Sequence, residues 1–439
     1  MMRPVWLRVA FYRYVVRVVF LVSSGLALVP GVRAGELSVV SDFEGASVRV
    51  LELDQAARTI RFTPGGEAAR GWPCWWFFRV EGCQPGEQLT LHLEASTSVA
   101  EPGGQPLGGS WAMPRYATWS ADGKTWRQTG VGQQAGQRMT YQLNPETSQT
   151  WIAWGPPCTP LTAAAWIREW SARSPHAKPL ELCRSREGRS VPMLYIREGD
   201  RPTEQRFGIW VQARQHAWES GSSWVARGFA EWLLSDQAEA TWLRQHAEVY
   251  LVPIMDVDNV ATGNGGKNAL PWDHNRDWSD QPHWNEVAAA RMKMKEWIQA
   301  GRMDLFLDLH NPAPGDPTFF YVLEDRLLPP EMVQHRARFI ELAYGRISRV
   351  KPLIPMSNKP KYTGPSYHPL WKQISANWVS MHGNPQTVSL CLETIWNSSR
   401  STVEGYQTVG AELAAASQQF LSERASTLEQ SPQGVPGTP

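Results

Sequence analysis

The sequence predicts a mixed, largely parallel α/β sheet flanked by helices, of the carboxyl-end-site kind, preceded by an all-β sandwich domain. Three observations predict it. Residues 36 to about 160 hold short alternating runs separated by Gly, Pro and Asp turns. After the proline cluster Pro156-Pro157-Cys158-Thr159-Pro160, apolar strands alternate with amphipathic helices. A chain of 439 residues, 42% hydrophobic and 19% charged, is long and apolar enough for two cores.

The first segment, residues 1–34, reads as a signal peptide. Arg3, Arg8, Arg13 and Arg17 precede an apolar run from Val18 to Leu28, and Val32-Arg33-Ala34 offers a small-residue cleavage site. The expectation is an exported protein, periplasmic or extracellular. The alternative is a chain anchored to the membrane by this segment, left uncleaved. The apolar run is shorter than the roughly 20 residues of a bilayer span. No later stretch is long and apolar enough, so no stable span is expected after cleavage.

Residues 35–160 are expected to form the β-sandwich. Ser47 to Leu53 and Leu89-Thr90-Leu91-His92-Leu93 alternate as half-buried strands do, and Asp122-Gly123 marks a hairpin before Thr125-Trp126. Residues 161–425 are expected to form the α/β domain. Phe207 to Val211, Val249 to Met255, Met303 to Leu309, Phe319 to Leu323 and Thr387 to Leu392 are its apolar strands. Ser222 to Leu234 reads as a helix capped by Ser222 or Ser223, with Val225, Phe229, Trp232 and Leu233 on one face. Glu286 to Ala300 reads as a second helix. Residues 426–439 are Pro, Gly, Ser and Gln-rich and are expected to be disordered.

Charge and cysteine content exclude some functions. The formal net charge is +1, and taking off the five arginines of residues 1–34 leaves about −4. Nothing there suits nucleic acid. Five cysteines (Cys74, Cys83, Cys158, Cys183 and Cys391) contain no C-x-x-C pair, so a cysteine zinc site is not expected. Cys74 and Cys83 are the nearest pair for a disulfide after export. The 23 tryptophans supply rigid core mass and can line substrate grooves.

The polar candidates fall after the strand ends, where open α/β sheets place their sites. His216 and Glu219 follow one strand, and His310 ends another. Two His and one Glu suit a single zinc ion, with the fourth tetrahedral position left for water. Asp273 could orient His216 through the second ring nitrogen. Asn275 and Arg276 could grip a carboxylate, such as a peptide C-terminus. Glu393, at a strand end, could act as general base. Lys267, in Gly263-Asn264-Gly265-Gly266-Lys267, could stabilise an oxyanion; the loop lacks the P-loop residues at Ala261 and Asn268. Each also has a plainer role as core histidine, turn aspartate, surface ion pair or turn lysine. Neither a G-x-S-x-G elbow nor an H-E-x-x-H motif occurs.

These residues resemble the zinc metallocarboxypeptidases of the carboxypeptidase A-like superfamily, in their cytosolic carboxypeptidase-like branch. Ala213-Arg214-Gln215-His216-Ala217-Trp218-Glu219-Ser220, with Gly228-Phe229, is similar to the branch's first zinc motif. Val252 to Val260 with Gly263-Asn264, then Asp273-His274-Asn275-Arg276-Asp277-Trp278, Asp308-Leu309-His310 and Leu392-Glu393-Thr394 follow in family order. Asp42-Phe43-Glu44-Gly45 and Trp151-Ile152-Ala153-Trp154 are similar to its sandwich domain.

The resemblance implies one Zn2+ per chain, Glu393 as catalytic glutamate, and peptide or protein C-termini as partners. It also implies a catalytic tyrosine, for which Tyr367 comes first and Tyr362 second. Asp256-Val257-Asp258-Asn259 departs from the usual Asn-Pro-Asp-Gly. Gly266 falls where the family usually has an arginine that polarises the scissile carbonyl, with Lys267 next to it as substitute. Export departs from the branch's cytosolic name. Two rivals follow: a cell-wall peptide or amide hydrolase of the same superfamily, and a non-catalytic binding protein.

Overall fold

A computed structural model describes residues 35–99, 104–311 and 315–430. The expected signal peptide lies outside the described residues, and so does the tail from 431 onward. No described helix is long and apolar enough to cross a membrane.

The front of the chain forms two five-stranded sheets. One runs Ser38–Val40, Phe77–Glu81, Gln149–Ala153, Thr118–Ser120, Arg127–Gln128 in spatial order. The other runs Arg49–Asp54, Thr59–Thr63, Leu89–Glu94, Arg138–Leu143, Gln133–Ala135. Leu89, Leu91 and Leu93 are fully buried and their neighbours are not, as the alternation requires. They meet Phe62, Trp76, Phe78 and Tyr141 between the sheets. At the hairpin, the Asp122 carboxylate accepts from the backbone of Lys124 and Thr125, so the turn is held by its own side chain.

The second part is built on an eight-stranded sheet. Its order is Ala177–Arg184, Ser190–Ile196, Ala247–Val252, Phe207–Ala213, Met303–His310, Val388–Glu393, Phe319–Leu323, Lys361–Thr363. The four inner strands, Ala247–Val252 to Val388–Glu393, are parallel; antiparallel strands flank them. The inner strands are near-continuous apolar runs because helices cover both faces. Helices Ser220–Leu233 and Val403–Gln430 pack closely, for a Cβ on Gly228 would lie 2.0 Å from the Gln407 carbonyl oxygen. Helices Asn285–Gln299 and Ser375–His382 also lie on the sheet.

Several details differ from the sequence reading. The helix expected from Ser222 starts at Ser220, and no serine caps it. Ser222 N instead donates to Asn311 Oδ1 at 3.1 Å, a cap from a distant loop. Residues 426–430, expected to be disordered, continue helix Val403–Gln430; Ser426 and Thr427 return their hydroxyls to the carbonyls of Ser422 and Glu423. All five cysteines are free thiols, including Cys74 and Cys83. Helix Pro160–Arg173 was not anticipated within the boundary. Thr159 caps it by accepting from Thr162 N, and Pro160 sits in its first turn.

The two parts interlock. Trp218 and Trp396 belong to the sandwich's core cluster rather than to their own domain's. Sandwich residues also bond across to residues 259–270, through Gly45 N, Glu67 N and Trp72 N to Ala261 O, Asn264 Oδ1 and Lys267 O.

Candidate metal centre and carboxylate clamp

The inner parallel strands end together. His310 closes Met303–His310, and its register partner across the ladder is Glu393, which closes Val388–Glu393. The strand Phe207–Ala213 leads into His216 and Glu219 through Arg214, whose φ is +65°. That left-handed turn is unusual for a residue with a Cβ, and costs about 1–2 kcal/mol. Arg214 is fully buried and repays the strain with bonds: Nε donates to Ala217 O at 2.8 Å and Nη1 to Cys158 O at 3.0 Å. It therefore fixes the loop that carries His216 and Glu219. Sequence reasoning quoted this arginine and gave it no role. Arginine directly before a histidine motif at a strand end was the available signal.

His216, Glu219 and His310 meet, all buried, with ligand atoms within 4.8 Å of one another. Nδ1 of His216 lies 2.8 Å from Glu219 Oε1, and Nδ1 of His310 lies 2.7 Å from Oε2. The far sides of both rings face carboxylates. His310 Nε2 is 3.0 Å from Asp308 Oδ2, and His216 Nε2 is 3.4 Å from Asp273 Oδ1. A carboxylate there favours the N–H on Nε2, which leaves Nδ1 as a lone pair facing Glu219. Three acceptors then converge on one point and repel unless a cation sits among them. This donor set fits a zinc ion held by two imidazoles and one carboxylate.

Without a cation the imidazoles take that part by binding a proton: burial opposes the charged form of Glu219, but positive charge on the facing rings outweighs it and holds the carboxyl at about 2. Burial likewise opposes a charged Asp273, yet Lys267 and His216 keep it well below the usual range.

Asp308 is the partner that sequence reasoning missed. It also accepts from Gln215 Nε2 at 2.6 Å and from Ser375 Oγ. Gln215 in turn accepts from Trp278 Nε1 at 2.8 Å. The signal was Asp308-Leu309-His310, in which alternate strand residues share a face.

Lys267, Asn275, Arg276, Tyr367 and Glu393 line one cavity of about 220 Å³ with His216 and Glu219. Asn275 and Arg276 enter it from the short helix His274–Arg276. Asn275 Oδ1 accepts from Ser375 N at 3.0 Å. Arg276 Nη1 donates to Asn275 O at 2.9 Å, while its buried Nε has no protein partner. An unanswered guanidinium N–H in a cavity suits an anionic ligand. His274, just before them in sequence, goes elsewhere: it lies 3.7 Å from Asp256 and 3.6 Å from Glu286, stacked on Trp284.

Glu393 is partly buried at the wall of the same cavity. Burial, against the lowering influence of His310, raises its carboxyl to about 7. The Cys391 thiol donates to it at 3.6 Å. A carboxylate with this proton affinity suits general base work near neutral pH. Lys267 Nζ lies 3.6 Å from Asp273 Oδ2, and burial together with Arg276 lowers its pKa.

The glycine beside Lys267 has a steric reason. Gly266 has φ +76°, and a Cβ on it would lie 2.5 Å from Asp256 Oδ2 and 2.6 Å from Ala217 N. No side chain fits there, so in this chain the cation of the loop stands one position later. Tyr367 lines the cavity, its ring 5.4 Å from Tyr321. Tyr362 does not; its hydroxyl is 3.4 Å from Asp325, in a separate cavity.

Residues 163–313 match the family model described as zinc carboxypeptidase, and residues 39–154 match the cytosolic carboxypeptidase N-terminal domain. That family uses one zinc ion. Among relatives, cytosolic carboxypeptidase 2 of Danio rerio is 24% identical over 286 residues, covering 60% of this chain and 39% of that protein. This chain thus spans about two fifths of that relative's length. An uncharacterized protein of Zymomonas mobilis is 24% identical, over 62% of this chain and 67% of its own. A metallo-carboxypeptidase structure from Burkholderia cenocepacia shares the fold, with TM-score 0.70 and 22% identity over 88% of this chain and 100% of that one.

Proposed function

We propose that this chain, which carries a zinc carboxypeptidase domain behind the N-terminal domain of the cytosolic carboxypeptidases, removes residues one at a time from the C-termini of peptides or proteins. The single observation that carries this reading is one cavity lined by His216 and Glu219 of a metal-fitting cluster, by a carboxylate of raised proton affinity and by an arginine whose buried Nε–H has no protein partner. His216, Glu219 and His310 would hold the zinc ion, which would supply Lewis acidity for the scissile carbonyl and for the attacking water.

The protein's own groups do the rest. Arg276 and Asn275 hold the free carboxylate of the substrate, which limits cleavage to the last peptide bond. Glu393 takes a proton from the attacking water and gives it to the leaving amine. Lys267 adds positive charge near the developing oxyanion, and Asp273 keeps His216 in the right tautomer. Tyr367 is the candidate tyrosine at the cavity wall.

The test is mass spectrometry of a peptide library, a muropeptide panel alongside, with and without chelator. Residues are expected to disappear from free C-termini only without chelator, and C-terminally amidated peptides are expected to persist. Internal cleavage, or action confined to muropeptides, would sink the reading in favour of the cell-wall hydrolase. No product at all, from a chain that binds zinc, would favour the binding protein.

Export is part of the same proposal. It rests on the four arginines, the apolar run and the small-residue site of residues 1–34, while named relatives are called cytosolic. Fusing residues 1–40 to a phosphatase that is active only outside the cytoplasm is expected to give activity; an inactive fusion counts against export.

A further inference from the structure

The sandwich reaches into the catalytic cavity with two side chains, Trp72 and Trp111. Their rings meet edge to face at 5.3 Å, and Trp72 stacks on Trp218 at 6.0 Å, 20° from parallel. Trp218 lies between the zinc-site residues His216 and Glu219 and is 2% exposed, whereas Trp72 and Trp111 are only partly buried. The indole Nε1 of Trp72 is shielded from solvent and has no hydrogen-bond partner.

This wall is fixed to the zinc loop by its backbone. Trp72 N donates to Lys267 O at 2.9 Å, Gly266 N to Arg70 O at 2.9 Å, and Trp218 N to Gly265 O at 3.0 Å. The clamp is held separately: Asn275 is tied to Ser375, and neighbouring Ile374 and Ala376 line the cavity. A substrate whose carboxylate is held at Asn275 and Arg276 passes the zinc residues at its scissile bond. With Trp72 tied to the zinc loop and the clamp tied to Ser375, the tryptophans are the groups left for the residue before that bond. Among the described residues, the sandwich places no charged side chain in this cavity. The partly exposed parts of the two rings offer apolar area there and would leave a charged group unsolvated.

We propose that Trp72 and Trp111 form a subsite for the residue preceding the one removed, selecting an apolar and best an aromatic side chain. The sandwich is thus a specificity-determining part of the site. This rests on the carboxypeptidase reading above.

The test compares two N-acetylated dipeptides with the same C-terminal residue, one with Phe and one with Ala before it. The full chain with zinc is expected to cleave the Phe peptide with the higher kcat/KM. Trp111→Ala is expected to raise KM for the Phe peptide about three- to tenfold, the worth of one aromatic contact, and to change KM for the Ala peptide by distinctly less. Trp111→Phe is expected to keep the preference. Should Trp111→Ala not fold, Trp111→Leu serves with the same readout. Equal loss on both peptides, or no preference in the parent chain, overturns the subsite alone; a parent that cleaves neither peptide overturns the carboxypeptidase reading with it.

Discussion

Glu393→Gln is expected to lower kcat by about two to four orders of magnitude, the usual worth of a positioned acid–base group. Gln keeps the shape and still faces the Cys391 thiol, which lies 3.6 Å from the carboxylate. It cannot take the proton. KM is expected to stay close to the parent value, because Asn275 and Arg276 are untouched. Zinc content is expected to remain one per chain, because the ligands are His216, Glu219 and His310. Steady-state kinetics with metal analysis separates these quantities. Full activity with zinc bound would remove Glu393 from the mechanism, and the base would have to be sought elsewhere in the cavity. The expectation follows from register: Glu393 is the ladder partner of His310, so its carboxyl is placed beside the cluster by the sheet itself.

His310→Ala is expected to abolish both stoichiometric zinc and activity. It takes away one of three ligands and leaves Glu219 and Asp308 buried without the group they face. Asp308→Asn is the graded comparison. It keeps the ligand but loosens the ring, and is expected to weaken zinc about 10–100-fold. Competition against a chelator gives both affinities. Thermal melts give an independent readout. Zinc at about a thousandfold over its Kd is expected to add about 4 kcal/mol to the parent chain and nothing to His310→Ala. A His310→Ala protein that still binds one zinc with parent affinity would refute the ligand assignment.

The candidate site was legible because its chemistry uses scarce residue types at strand ends. His216, Glu219, His310 and Glu393 each follow or close an apolar run, and in a parallel sheet those ends face one edge. The sandwich was legible through alternation in Leu89 to Leu93 and through its turns. Helix caps and the tail were less so. Asn311 caps the helix beginning at Ser220 from 89 positions away, and no local pattern reports such a partner.

By itself, the sequence determined the two-part architecture and which residues to propose as metal-fitting triad, clamp and base, since hydrophobic period and strand-end polarity are local properties of a chain. Only the tertiary structure decided what orients them. Asp308 gathers Gln215 and Ser375 from distant segments, Arg214 accepts a left-handed backbone to shape the His216 loop, and Gly266 leaves the cation to Lys267. It also decided that Trp72 and Trp111 stand in the cavity. The physical reason is the same in each case: buried hydrogen bonds and close packing are satisfied across long sequence separations, so the folded chain alone specifies which group meets which.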